Sequence, residues 1–168
     1  MDVDIRPAVV ADATAIIDVH FAAVHQTAAS FYPRAVLDSW SREPDEGRYE
    51  QIRRATANGE ELLVVAEDAS GIVGFGSIMP TLQELRAVYV HPRAGRRGIG
   101  SRILIQLEQL AVDRGVFQLQ LDASVNAEAF YRRAGYEIVE RGVHRLSSGH
   151  EMACFKMKKS LTQQTALI

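Results

Sequence analysis

The chain has 168 residues, with 19 Lys plus Arg against 21 Asp plus Glu and a formal net charge of −2 at pH 7. That length suits one domain, and 47% hydrophobic with 24% charged residues argues against a disordered or fibrous chain. The near-neutral balance gives no electrostatic drive toward nucleic acid or an anionic membrane surface, so neither partner is expected.

In chain order, a short strand is expected at residues 3–6, running into Pro7, with Asp12 placed to cap a helix whose apolar face carries Ile16, Ile17, His20, Ala23 and Val24. A second short helix holds Val36, Leu37 and Trp40, and a third spans residues 45–57 before Asn58-Gly59 ends it. Residues 62–66 and 72–78, joined by Asp68-Ala69-Ser70-Gly71, read as a hairpin, and residues 84–90 as a third strand. Ile103, Leu107, Leu110 and Ala111 share one face of a helix over 101–114, with Gly115 at its C-terminal turn. A strand at 117–121, a short helix at 127–134 and strands at 136–141 and 152–157 complete the order. The expected fold class is α/β (α+β): a mixed, mostly antiparallel central sheet of about seven strands with flanking helices. One domain over residues 1–160 and a loose tail over 161–168 are expected.

Cys154 is the one cysteine, so an internal disulfide and a multi-cysteine zinc site are both out of reach. The N-terminus lacks a signal-peptide pattern, and no stretch approaches the roughly 18 apolar residues of a membrane helix. A cytoplasmic location is the expectation. The five histidines are scattered without ligand spacing, and no metal is expected.

The stretch from Val88 to Ser101 carries the chemistry. It joins a strand to a helix start through Gly95, Gly98 and Gly100, with Arg96 and Arg97 between them. Glycines let the backbone approach a phosphate, helix-start N–H groups point at it, and the helix dipole favours its charge. A P-loop would need Lys where Ser101 stands, and a dinucleotide fingerprint fails at Ile103. What remains is a diphosphate not read as a γ-phosphate.

On these residues the chain resembles the GCN5-related N-acetyltransferase (GNAT) superfamily. Gly98 and Gly100, after a strand ending Tyr89-Val90-His91-Pro92, match its coenzyme A loop, although Gly95 stands where the family has Gln or Arg and Arg96 where Gly is common. A second block, Leu121 to Tyr136, is similar to the family's strand-to-helix segment, with Asn126 at the position that contacts the pantetheine arm and Tyr131 at the one facing the thioester sulfur. The resemblance implies an acetyl-CoA-dependent N-acetyltransferase, with acetyl-CoA as co-substrate and an amine acceptor. It implies cofactor contacts from Val88, Tyr89, Val90, Gly95, Arg96, Arg97, Gly98, Ile99, Gly100, Ser101, Asn126 and Tyr131. It also implies direct attack in a ternary complex and admits a homodimer through the last strands.

Acetyl transfer needs a neutral amine, a held thioester, charge stabilisation on its oxygen and a proton for the leaving sulfur. Tyr131 is the expected proton donor and Glu84 the expected general base, with His91, His144 and His150 as alternatives. Phe31, Tyr32 and Trp40, with His25 nearby, are candidate acceptor contacts. The other reading is a non-catalytic acyl-CoA-binding or regulatory module that keeps the slot without a working base.

Overall fold

The computed structural model describes residues 2–162. It contains a seven-stranded sheet in the order β1-β2-β3-β4-β5-β7-β6, where β1 is Asp4–Pro7, β2 Leu62–Asp68, β3 Gly71–Met79, β4 Glu84–Val90, β5 Gln118–Ser124, β6 Glu137–Arg145 and β7 Glu151–Ser160. Every neighbouring pair is antiparallel except β4 and β5. The helices are α1 (Ala13–Ala22), α2 (Arg34–Trp40), α3 (Glu46–Asn58), α4 (Ile99–Asp113) and α5 (Glu128–Arg133).

Two layers cover the two faces. The apolar stripe of α4, with Ile103, Leu104, Leu107 and Ala111 fully buried, packs on one face together with Tyr131 and Tyr136. Ile16 and Val19 of α1 and Ile52 and Ala55 of α3 pack with Val65 and Phe75 on the other. Alternation along β5 follows from this, since Leu119, Leu121 and Ala123 are buried while Gln118, Gln120 and Asp122 are exposed. Each buried leucine or isoleucine side chain contributes roughly 1.5–3 kcal/mol.

Some expectations shift in detail. Asp12 does not cap α1 through its side chain. Its carboxylate instead accepts from Val9 N–H at 2.8 Å and from Arg6 at 2.8 and 3.1 Å, which ties β1 to the turn before the helix. The first helix continues through a wider π turn at Ala23–Thr27, and α4 starts at Ile99, two residues before the expected 101. Within the expected tail, Leu161 is buried and its N–H donates to Phe117 O at 2.7 Å. Residues 163–168 of that tail lie outside the described residues.

Two irregularities shape the centre of the sheet. Ser77 faces Ala87 while Ile78 faces Leu85, so Arg86 is an extra residue bulged out of β4. The bulge puts Leu85 and Val88 on the α4 side and turns Ala87 and Tyr89 toward α1. On its other edge β4 meets β5 in register only at Glu84 opposite Gln120. Beyond that point the strands part, leaving the backbone edge of residues 88–90 without a strand on the β5 side.

Candidate functional site

The parting of β4 and β5 opens two connected cavities. One, of about 630 Å³, lies between β4 and the β5-β7-β6 half of the sheet and includes Glu84, Arg86, Asp122, Tyr131, His144 and Cys154 in its walls. The other, of about 480 Å³, is bounded by the α1 π turn, by Val88 to Val90, by Gly95 and Arg96, and by Asn126. Trp40, Val88, Tyr89, Ser124 and Ala127 line both, so the two meet at the gap.

The lining of the smaller cavity includes Gly95, Arg96 and Asn126. Arg96 holds a left-handed backbone (φ 62°), as does Gly98 (φ 71°), which precedes the first turn of α4. Glycine meets that conformation without strain at position 98, whereas an arginine at position 96 holds it at a cost of about 1–2 kcal/mol. Gly100 sits where a Cβ would come within 3.3 Å of the Phe130 ring, so its small size lets α4 start close against α5. Opposite the loop, Asn126 Oδ1 is buried and has no hydrogen-bond partner among the described residues. A buried acceptor left unpaired costs about 1–3 kcal/mol, and a ligand N–H would recover it.

The expected cofactor contacts divide accordingly. Val88, Tyr89, Val90, Gly95, Arg96 and Asn126 line the smaller cavity. Arg97 does not reach into it: its guanidinium donates to Asp68 Oδ2 at 3.0 Å, fixing the loop to the β2–β3 turn and helping to hold that carboxyl down to about 2, after the Ser70 hydrogen bonds. Ile99 turns its side chain into the core, leaving its backbone to the first turn with Gly100 and Ser101.

In the larger cavity Tyr131 is buried, its ring packed against Phe130 and Tyr136. Burial pushes its hydroxyl pKa far up, which keeps the proton on oxygen. Glu84 Oε1 is 3.2 Å from Arg86 Nε, its neighbour two residues along β4. His144 Nδ1 lies 2.9 Å from Asp122 Oδ2, and Lys156 Nζ lies 3.2 Å from Asp122 Oδ1. Those bonds hold the Asp122 carboxyl below its usual value against the opposing effect of burial. His91 and His150 do not line either cavity: His91 Nδ1 accepts from Arg93 N–H at 3.1 Å, and His150 pairs with Ser148.

The wall shared by the cavities is held by a buried network that sequence patterns did not reveal. Trp40 Nε1 donates to Tyr89 Oη at 3.2 Å, and the His20 ring stands edge-on to Tyr89 at 4.6 Å between centroids. His20 Nδ1 is 2.7 Å from Ser41 Oγ, and Arg48 closes on both. Burial, with Arg48 adding to it, drives the His20 imidazole pKa down to about 3. Of the aromatic acceptor candidates, Trp40 lines the site, Phe31 is exposed, and Tyr32 ties the scaffold by donating to Ala153 O at 2.5 Å and accepting from Val125 N–H at 2.8 Å. His25 Nε2 is bound to Ser41 O at 2.6 Å. Among the described residues no cluster of His, Cys, Asp and Glu could hold a metal ion, and no helix is long and apolar enough to cross a membrane.

A sheet parted at β4 and β5, with a glycine turn opening a helix at one end of the gap, gives a slot suited to an extended ligand that ends in an anion. The family model described as Acetyltransferase (GNAT) domain matches residues 25–161, and the chain belongs to that family of acetyltransferases. It is 26% identical over 146 residues to a spermidine N(1)-acetyltransferase of Thermoplasma acidophilum, covering 82% of this chain and 90% of that protein. Among solved structures it superposes with TM-score 0.84 on a GCN5-related N-acetyltransferase from Rhodopseudomonas palustris, at 28% identity over 96% of this chain and 97% of the other. An N-acetyltransferase from Thermoplasma acidophilum in complex with coenzyme A shares the fold at 21% identity and TM-score 0.77, covering 95% of this chain and 99% of that one.

Proposed function

We propose that the chain moves an acetyl group from acetyl-CoA to a primary amine by direct attack within a ternary complex, with coenzyme A entering the smaller cavity and the acceptor the larger. The observation that carries this reading is the meeting of the two cavities at the β4–β5 gap, with Tyr131 in the wall beside it. The fit to the co-substrate is supported by the unpaired Asn126 Oδ1, which suits a pantetheine amide N–H, and by the free edge of residues 88–90, which can pair with that arm as a strand would. The glycine turn and Arg96 suit the pyrophosphate. The N-acetyltransferase crystallised in complex with coenzyme A shares this fold.

Each chain residue then has a task. Trp40 and Tyr89 form an apolar wall that excludes water and positions the acceptor. Glu84 takes the proton that the amine nitrogen gives up as it bonds to the carbonyl carbon, directly or through one water. Backbone N–H groups of β4 hold the charge that develops on the carbonyl oxygen. Tyr131 gives its hydroxyl proton to sulfur as the carbon–sulfur bond breaks and its electron pair moves onto sulfur.

A second candidate for the base is His144. Asp122 fixes its Nδ1, which leaves Nε2 as the free ring nitrogen of an oriented imidazole in the same cavity. Replacing Tyr131 with Phe tests the reading: turnover should fall about 10²-fold or more while acetyl-CoA affinity stays within about twofold. Unchanged turnover would remove Tyr131 from the mechanism. Acceptor-dependent release of free thiol by the wild type eliminates the non-catalytic module.

A further inference from the structure

We propose that the acceptor is an amino acid, an amine that carries its own carboxylate, and that polycationic amines are disfavoured. The inference rests on the assignment of the larger cavity to the acceptor. It comes from the charges in that cavity, which are Glu84, Arg86, Asp122, His144, Lys156 and Lys158.

Both carboxylates are already committed: Glu84 to Arg86, and Asp122 to Lys156 and His144. Lys158 makes no ion pair within 4.0 Å among the described residues, whereas the adjacent Lys159 leaves toward Glu108 at 3.0 Å on the opposite face. Across the ladder Glu137 stands opposite Lys158 and Glu140 opposite Lys156, but neither lines the cavity. The cavity therefore offers three permanent cations against two paired carboxylates, with Met152 and Cys154 on the same face of β7 as Lys156 and Lys158, and with Trp40 and Tyr89 also in its walls.

A polyamine entering this cavity would bring several positive charges beside three others, and the two carboxylates that could receive it are each already neutralised by a neighbouring cation, so its charges meet repulsion with no unshared counter-charge. An amino acid instead places its carboxylate against Lys158 and its apolar side chain against the aromatic wall. The surrounding cations also disfavour an ammonium, so the α-amine is shifted toward the neutral, nucleophilic form that transfer requires. The demand on Glu84 or His144 is reduced to match.

The test is thiol release from saturating acetyl-CoA with L-phenylalanine and L-methionine, with their carboxamides, and with spermidine and putrescine. The expected result is kcat/KM for each amino acid about tenfold or more above its carboxamide and above both polyamines, the scale of one charge-assisted contact. Lys158→Gln should collapse the acid-to-amide ratio toward one through KM, and Lys158→Arg should restore it. Equal rates for acid and amide, or preference for spermidine, would overturn the proposal while leaving the acetyltransferase reading intact. No release with any amine, despite acetyl-CoA binding, would overturn both.

Discussion

Replacing His20 with Gln should change how stability depends on pH. The imidazole sits at about 3 in the folded chain, against about 6.5 when solvated, because it is buried beside Arg48 and against Tyr89. A depressed histidine contributes nothing adverse above the unfolded value. As pH falls below about 6.5 the unfolded chain takes up a proton that the folded chain refuses, and stability is lost down to the folded value. Between about pH 6.5 and 5 the loss is on the order of 1–2 kcal/mol, which for a chain of this size lowers Tm by roughly 2–8 °C. Asp12 and Asp68 are shifted down from values near 3.8, so their contributions disappear only at lower pH. His91 is shifted in the same direction as His20, which is why the variant is compared with the wild type rather than read alone. In urea unfolding at several pH values, His20→Gln should be less stable at neutral pH and lose less on acidification over that window, by on the order of 1–2 kcal/mol. An identical acid loss in the two proteins would refute the account of a neutral, buried His20.

Arg96→Gly should relieve the left-handed strain at that position (φ 62°) while removing a cation from the smaller cavity. Thermal stability is expected to hold within about 1 kcal/mol, since relieved strain and added chain entropy oppose each other, and acetyl-CoA Kd to rise about three- to tenfold. Unchanged or tighter binding by calorimetry would show that Arg96 does not serve the pyrophosphate. The base is decided by comparing Glu84→Gln with His144→Gln: the first is expected to lower kcat about 10²-fold, the second to cost less than about fivefold. The reverse order would transfer the role to His144 and its Asp122 partner.

Much of the scaffold is legible in the sequence because its signals are local. The apolar spacing of Ile103, Leu107 and Ala111 marks α4, and Gly59 and Gly115 end their helices with the positive φ values such stops require. Asp68 makes its turn within three residues by accepting from Ser70 N–H. Of the expected contacts, Gly95, Arg96 and Asn126 line the smaller cavity and Tyr131 the larger, brought there as parts of contiguous blocks. What the sequence hides depends on register and on distant partners. The bulge at Arg86, which turns Ala87 and Tyr89 toward α1, is visible only in how β4 pairs with β3. Asp122 and His144 meet only because β7 lies between β5 and β6. Arg97 reads as a phosphate ligand beside its glycines until Asp68, from a different hairpin, is found holding it. The burial of His20 likewise follows from Arg48, Ser41 and Tyr89 converging from separate elements.

The most direct measurement is calorimetric titration of the wild type and of Asn126→Ala with acetyl-CoA, with magnesium ATP as the control. One site per chain for acetyl-CoA, weakened about three- to tenfold by the substitution, with no heat from ATP, is the expected result. Binding of ATP without acetyl-CoA would contradict the assignment of the β4–β5 gap and of the glycine turn from Gly95 to Ser101.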